Sequence, residues 1–100
     1  MTADKWVRAS DNVFEELGFE SEEASVLKIK ADLMIEIEKA MKAQGLSQAR
    51  AAQAMGIPRP RLNRMLHGRF DGVTIDKMVQ MLERTGKQVT VKVGRKRKAA

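Results

Sequence analysis

One hundred residues, 43% of them hydrophobic, suffice for one modest core and leave little for a second domain or a deep active-site cavity. The lack of cysteine excludes disulfides and thiolate metal sites. One histidine, His67, cannot build a metal centre alone, and no apolar run approaches the ~20 residues needed to span a bilayer.

The net charge of +6 is unevenly spread. Residues 1–25 hold two basic and seven acidic side chains, a net −5; residues 26–100 hold 17 basic and six acidic, a net +11. A basic body suits a polyanion and an acidic front is repelled by one, so the two ends face different partners. The aromatics are Trp6, Phe14, Phe19 and Phe70, so aliphatic residues and seven methionines must do most of the packing, which suits helices better than sheets. The N-terminus lacks the basic-then-apolar pattern of a secretion signal, and a soluble, cytoplasmic protein is expected.

In chain order, residues 1–10 read as irregular. Asp11 to Leu17 predicts a short helix closed by Gly18, with Val13, Phe14 and Leu17 on one side. Ser21 is a candidate cap for a long helix over about 22–43, where Glu22 and Glu23 suit the positive end of the dipole. Val26, Ile29, Leu33, Ile37 and Ala40 follow the 3.6-residue period, with Met34 and Met41 at the edge of the stripe and Ile35 pointing away from it. Gly45 ends this helix. Ser47 caps a helix to Met55, Gly56 breaks it, and another starts near Arg59, with Pro58 and Pro60 around its first turn, and ends before Gly68. Thr74 caps a last helix to Thr85, with Ile75, Met78, Val79 and Leu82 as its buried stripe. Residues 88–93 alternate polar and apolar, a strand signal; a lone strand leaves its backbone groups unpaired within one chain, so it is expected to pair between chains. A basic run, 94–100, follows and is expected to be a disordered tail.

The informative stretch is 48–68. Two helices crossing at a tight turn need apolar inward positions, filled by Ala51, Met55, Ile57, Leu62 and Met65. They need a small residue at the closest approach, Ala52, and one at ease with positive φ in the turn, Gly56. On the helix after the turn, Arg59, Arg61, Asn63 and Arg64 lie outside the buried positions, and no acidic residue occurs from Arg50 through Phe70. Arginine can donate two hydrogen bonds to guanine and asparagine can pair with adenine in the major groove.

From Leu46 to about Gly86 the chain resembles the Cro/C1-type (XRE) helix-turn-helix family, including the Leu46-Ser47-Gln48 start and the Leu66-His67-Gly68 close. The stretches 12–19, 28–33 and 86–91 are similar to the HigA-like antitoxin branch of type II toxin–antitoxin systems. The resemblance implies an all-α, four- to five-helix, lambda-repressor-like domain over 21–87, preceded by an acidic arm (1–20) and followed by the strand (88–93) and the tail. It implies a dimeric repressor that reads an inverted repeat in double-stranded DNA. Base contacts are then expected from Arg59, Pro60, Asn63 and Arg64, and phosphate contacts from Gln48, Arg61, His67 and Arg69. Pro60 departs from the polar residue often found at its place. The implied second partner is a basic RelE/HigB-like toxin, with Trp6, Val13, Phe14 and Leu17 as apolar anchor and Glu15, Glu16 and Glu20 around it; Phe14 and Leu17 serve equally well as cover for the domain's own core. Val89, Val91, Val93 and Met81 are the candidate dimer residues.

No cofactor or metal is expected, and no enzyme: the chain offers no histidine–carboxylate–nucleophile set, and Glu36 and Glu38 point in different directions along one helix. The competing reading is an interaction module that neutralises a toxin or other partner without binding DNA. RNA binding is disfavoured by the lack of exposed stacking aromatics.

Overall fold

The computed structural model describes residue 14 and residues 17–95. Within them lie four helices: α1 (Ser21–Ala43), α2 (Gln48–Met55), α3 (Arg59–Leu66) and α4 (Ile75–Arg84). Helix α1 is the longest and packs chiefly against α4, while α2 packs on both α3 and α4. The predicted helix over 11–17 falls mostly outside the described residues, as do Trp6, Val13, Glu15 and Glu16; Phe14 is helical, half-buried and packed against the core.

The core is formed by Met34 and Ile37 of α1, Met55 of α2, Leu62 and Met65 of α3, and Met78, Met81 and Leu82 of α4, all essentially inaccessible to water. Five of these eight side chains are methionine, whose unbranched, flexible thioether fills the irregular space where short helices meet at differing angles.

Helix α1 corrects the sequence reading. Its buried residues are Ala24, Leu27, Lys30, Ala31, Met34, Ile35, Ile37, Glu38 and Ala40. Met34, expected at the edge, lies at the centre, and Ile35, expected to point away, is buried. Val26 and Ile29, expected inside, are 42% and 47% exposed. The helix carries two apolar series about a third of a turn apart, and the other helices pack on the one containing Ala31, Met34 and Ile35. Ser21 is not the cap either: Glu20 precedes the first turn in an extended conformation and makes no side-chain capping bond.

The remaining boundaries follow local chemistry. Leu46 N–H donates to the Met41 carbonyl (2.9 Å) past Gly45, which has φ of +62°. Ser47 Oγ accepts from Arg50 N–H (3.2 Å), and Thr74 Oγ1 from Lys77 N–H (3.3 Å). A hydrogen bond with Thr74 also holds the Asp76 carboxyl below its ordinary range. The stability this adds is present above the usual aspartate range and is lost as pH falls through the depressed value.

Two contacts tie distant parts together. Gln44 Nε2 donates to the Thr85 carbonyl (2.9 Å), joining the C-terminal ends of α1 and α4. The buried Lys30 donates from Nζ to the Asp71 carbonyl (2.7 Å), which fixes the loop after α3 to α1. After α4, Lys87 N–H donates to the Leu82 carbonyl and Val89 N–H to Glu83 Oε2 (2.8 Å). The expected strand over 88–93 is not formed: among the described residues none is in a strand, and 87–95 has no regular structure. A strand needs a neighbour to satisfy its ladder, and this chain supplies none. Val89 is half-buried against the core, whereas Val91 and Val93 are bare. Met81, expected at a dimer surface, is fully buried in the chain's own core and is unavailable to a partner.

The position of the buried stripe is testable by urea unfolding. Ile35→Ala is expected to lower stability by about 2–5 kcal/mol, the cost of a cavity, and Lys39→Ala to change it by no more than about 0.5 kcal/mol. Equal small effects would place Ile35 outside the core.

Candidate nucleic-acid interface

The turn between α2 and α3 sets the geometry. Ala51, Ala52 and Met55 face inward from α2, and Leu62, Met65 and Leu66 from α3. Gly56 adopts φ of +75°, and Ile57 N–H donates to the Ala52 carbonyl (3.0 Å). A Cβ at Gly56 would lie 2.5 Å from Nη1 of Arg84, whose guanidinium covers the turn from α4. The left-handed backbone favours glycine here, while a Cβ would also displace the flexible end of the Arg84 side chain. Pro58 N-caps α3 with Pro60 in its first turn, and Pro58 O accepts from both Arg61 and Leu62 N–H groups (3.1 and 3.2 Å).

With its apolar side fixed inward, α3 turns Arg59, Pro60, Arg61, Asn63 and Arg64 to solvent. His67 is the C-cap: its Nδ1 lies 2.7 Å from the Asn63 carbonyl, and since a carbonyl only accepts, Nδ1 carries the donated proton. Asn63, Arg64, His67 and Arg69 line one shallow depression of about 360 Å³, at the end of α3 where cations complement the dipole. The structure thus gathers into one concavity two residues predicted for bases and two predicted for phosphates. None of Arg59, Arg61, Arg64 or Arg69 has a carboxylate partner among the described residues, where the ion pairs are Lys28–Asp32 (2.9 Å) and Lys39–Glu36 (3.7 Å), both within α1.

Gln48 reaches the same face from the first turn of α2. Its Oε1 accepts from Asn63 Nδ2 at 3.1 Å, a link between the two helices that the sequence does not reveal, because the residues are 15 apart. The bond uses one Nδ2 proton of Asn63. The second proton and Oδ1 remain, and these are the donor and acceptor that a bidentate contact with adenine requires. Arg50, exposed in the first turn of α2, was also missed as an individual candidate; the acid-free run beginning there is the signal that marks it.

The predicted toxin-facing residues divide. Phe14 packs inward and meets Phe19 edge-on at 6.1 Å, while Leu17 is 69% exposed and Glu20 lies exposed beside it.

A helix-turn-helix domain family matches residues 13–94. The chain belongs to that family. The match includes both crossing helices, the turn at Gly56 and the packing helices α1 and α4, so the helix-turn-helix is the body of the chain. No curated protein and no solved structure matches it. No helix among the described residues is long and apolar enough to cross a membrane. Helix-turn-helix membership and the free arginines of α3 together make this a DNA-binding regulator in kind.

Gly56→Ala is expected to cost about 1–3 kcal/mol of stability through the left-handed backbone. A penalty of no more than about 0.5 kcal/mol, read by thermal or urea unfolding, would contradict the left-handed backbone at Gly56.

Proposed function

We propose that the chain is a sequence-specific repressor that binds an inverted-repeat operator as a dimer, with α3 in the major groove. The observation that carries this reading is the exposed, acid-free arginine face of α3, held outward by Leu62 and Met65. Arg59, Asn63 and Arg64 read base edges and Pro60 makes apolar contact. Gln48, Arg61, His67 and Arg69 hold phosphates, and Gln48 also orients the Asn63 amide. A two-fold dimer places its recognition helices about 34 Å apart, one turn of DNA. The segment 88–93, with its bare valines, joins the copies. Bound at a promoter in the cytoplasm, such a dimer excludes polymerase by occupying its site.

The acidic front supports a second role, as the antitoxin of a toxin–antitoxin pair. Exposed Leu17 together with Glu20, Glu22 and Glu23 offers an apolar contact with an acidic surround, suited to a basic RelE/HigB-like protein. Phe14 serves the core in this account and not the partner. The alternative, partner capture without DNA binding, is separated from the repressor reading by the titration below.

If each half-site engages about four phosphates, a dimer neutralises about eight and log Kd changes with log salt at a slope near 7 in magnitude. Arg64→Ala is expected to cost about 1–3 kcal/mol on the operator and to relax base choice at one position. Arg69→Ala is expected to weaken operator and random duplex alike. Fluorescence anisotropy at two or more salt concentrations reads all three. Salt-insensitive or absent binding would replace the repressor with the interaction module, and equal loss on both duplexes for both variants would overturn the residue assignment.

A further inference from the structure

The N-terminal half of α1 carries an apolar side that no described part of the chain covers. At 3.6 residues per turn, Glu22, Val26, Ile29, Leu33 and Glu36 fall along one side of the helix. From Leu33 onward that side is closed: Leu33, Glu36, Leu82 and Val89 line one groove, and Leu33 and Val89 pack against the core. Before Leu33 it is open, at Ile29 and Val26.

The segment leaving the same groove is bare as well. Val91 and Val93 are 84% and 89% exposed, an arrangement a monomer gains nothing from. In an extended chain Val89, Val91, Val93 and Arg95 point to one side, with Thr90 and Lys92 on the other. The two surfaces match in length: Val89 to Val93 spans about 13 Å extended, and Leu33 back to Val26 about 10 Å along the helix. They also match in charge. Glu22 and Glu23 edge the helix stripe, and Lys28, the one cation of α1 before Lys30, is already paired with Asp32 (2.9 Å). The tail carries Arg95 on the same side as its valines.

We propose that the Val91–Val93 tail of a second copy lies on the Val26–Ile29 stripe of the first, and the reverse, so that two arms are exchanged about a two-fold axis. The register sets Val91 over Ile29, Val93 over Val26 and Arg95 at Glu22. Isologous exchange buries both apolar surfaces at once and uses each twice. The inference rests on the dimeric reading above and names its interface. It places the tail on a helix, not on the partner's tail as in a two-stranded ribbon.

The test is the mass of the full chain in solution, by sedimentation or light scattering over a concentration series, with circular dichroism confirming the fold of each variant. The wild type is expected to be dimeric. Ile29→Asp and the double variant Val91→Asp/Val93→Asp are each expected to be folded monomers at concentrations where the wild type is a dimer. Glu22→Lys and Arg95→Glu are each expected to weaken the dimer several-fold, and their combination to restore it. A dimer that survives Ile29→Asp but not the tail variant would show tail–tail pairing and overturn the proposed surface while leaving the dimer in place. Failure of the combined charge swap to restore association would overturn it independently of any folding defect in Ile29→Asp. A monomeric wild type would overturn this proposal and the dimeric reading together.

Discussion

Leu62 and Met65 fix α3 to the body of the protein, and everything proposed for its outer face depends on that attachment. Both are fully buried and belong to one hydrophobic cluster with Met34, Ile37, Met55 and Met78. A helix of eight residues has little stability of its own, so its orientation comes from the burial of its apolar side. Once those two residues are inward, the 3.6-residue period leaves Arg59, Arg61, Asn63 and Arg64 no direction but outward. The cost is four exposed arginines, counting Arg69, none with a carboxylate partner among the described residues. Such an arrangement is unfavourable for the isolated fold and favourable beside a polyanion, because bringing phosphates up relieves the mutual repulsion.

The rest of the scaffold sets the angle of that helix. Gly56 closes the approach from α2, with Arg84 packed over it from α4. On the far side of α3, Lys30 reaches from α1 to the Asp71 carbonyl and holds the loop that follows. The Gln48–Asn63 bond adds a direct strut across the exposed face. The Arg84 side chain lies over the turn before α3, Lys30 holds the loop after it and Gln48 bonds α3 itself, each from a different helix. A base-reading side chain must be held to a fraction of an ångström to discriminate, and a recognition helix fixed at only one end would not do so.

Much of this was legible in the sequence, for reasons particular to each element. The crossing helices were readable because Ala51, Ala52, Met55, Gly56, Ile57, Leu62 and Met65 meet steric demands that few other residues satisfy. The caps at Ser47 and Thr74 were readable because their hydroxyls act locally. Helix α1 was misread because it carries apolar residues on two sides, and periodicity does not say which side the rest of the chain will cover. Ile35 and Met34 belong to the side that α3 and α4 occupy; Val26 and Ile29 belong to the other. Lys30 was invisible because lysine is seldom buried, and only the tertiary fold brings a carbonyl within its reach. Met81 was misassigned because an apolar residue on an amphipathic helix gives no sign of which core it serves. The alternation over 88–93 signals a conformation whose stability lies in a partner, and a single chain does not display it.

DNA is proposed to bind the exposed face formed by α3 and the first turn of α2. Amide and arginine side-chain NMR shifts, followed as a duplex carrying an inverted repeat is added at moderate salt, test it most directly. Perturbations are expected at Gln48, Arg50, residues 59–64, His67 and Arg69, reversed by raising salt, with the first turns of α1 unmoved. Perturbations centred on α1, or none at duplex concentrations that saturate other helix-turn-helix proteins, would contradict it.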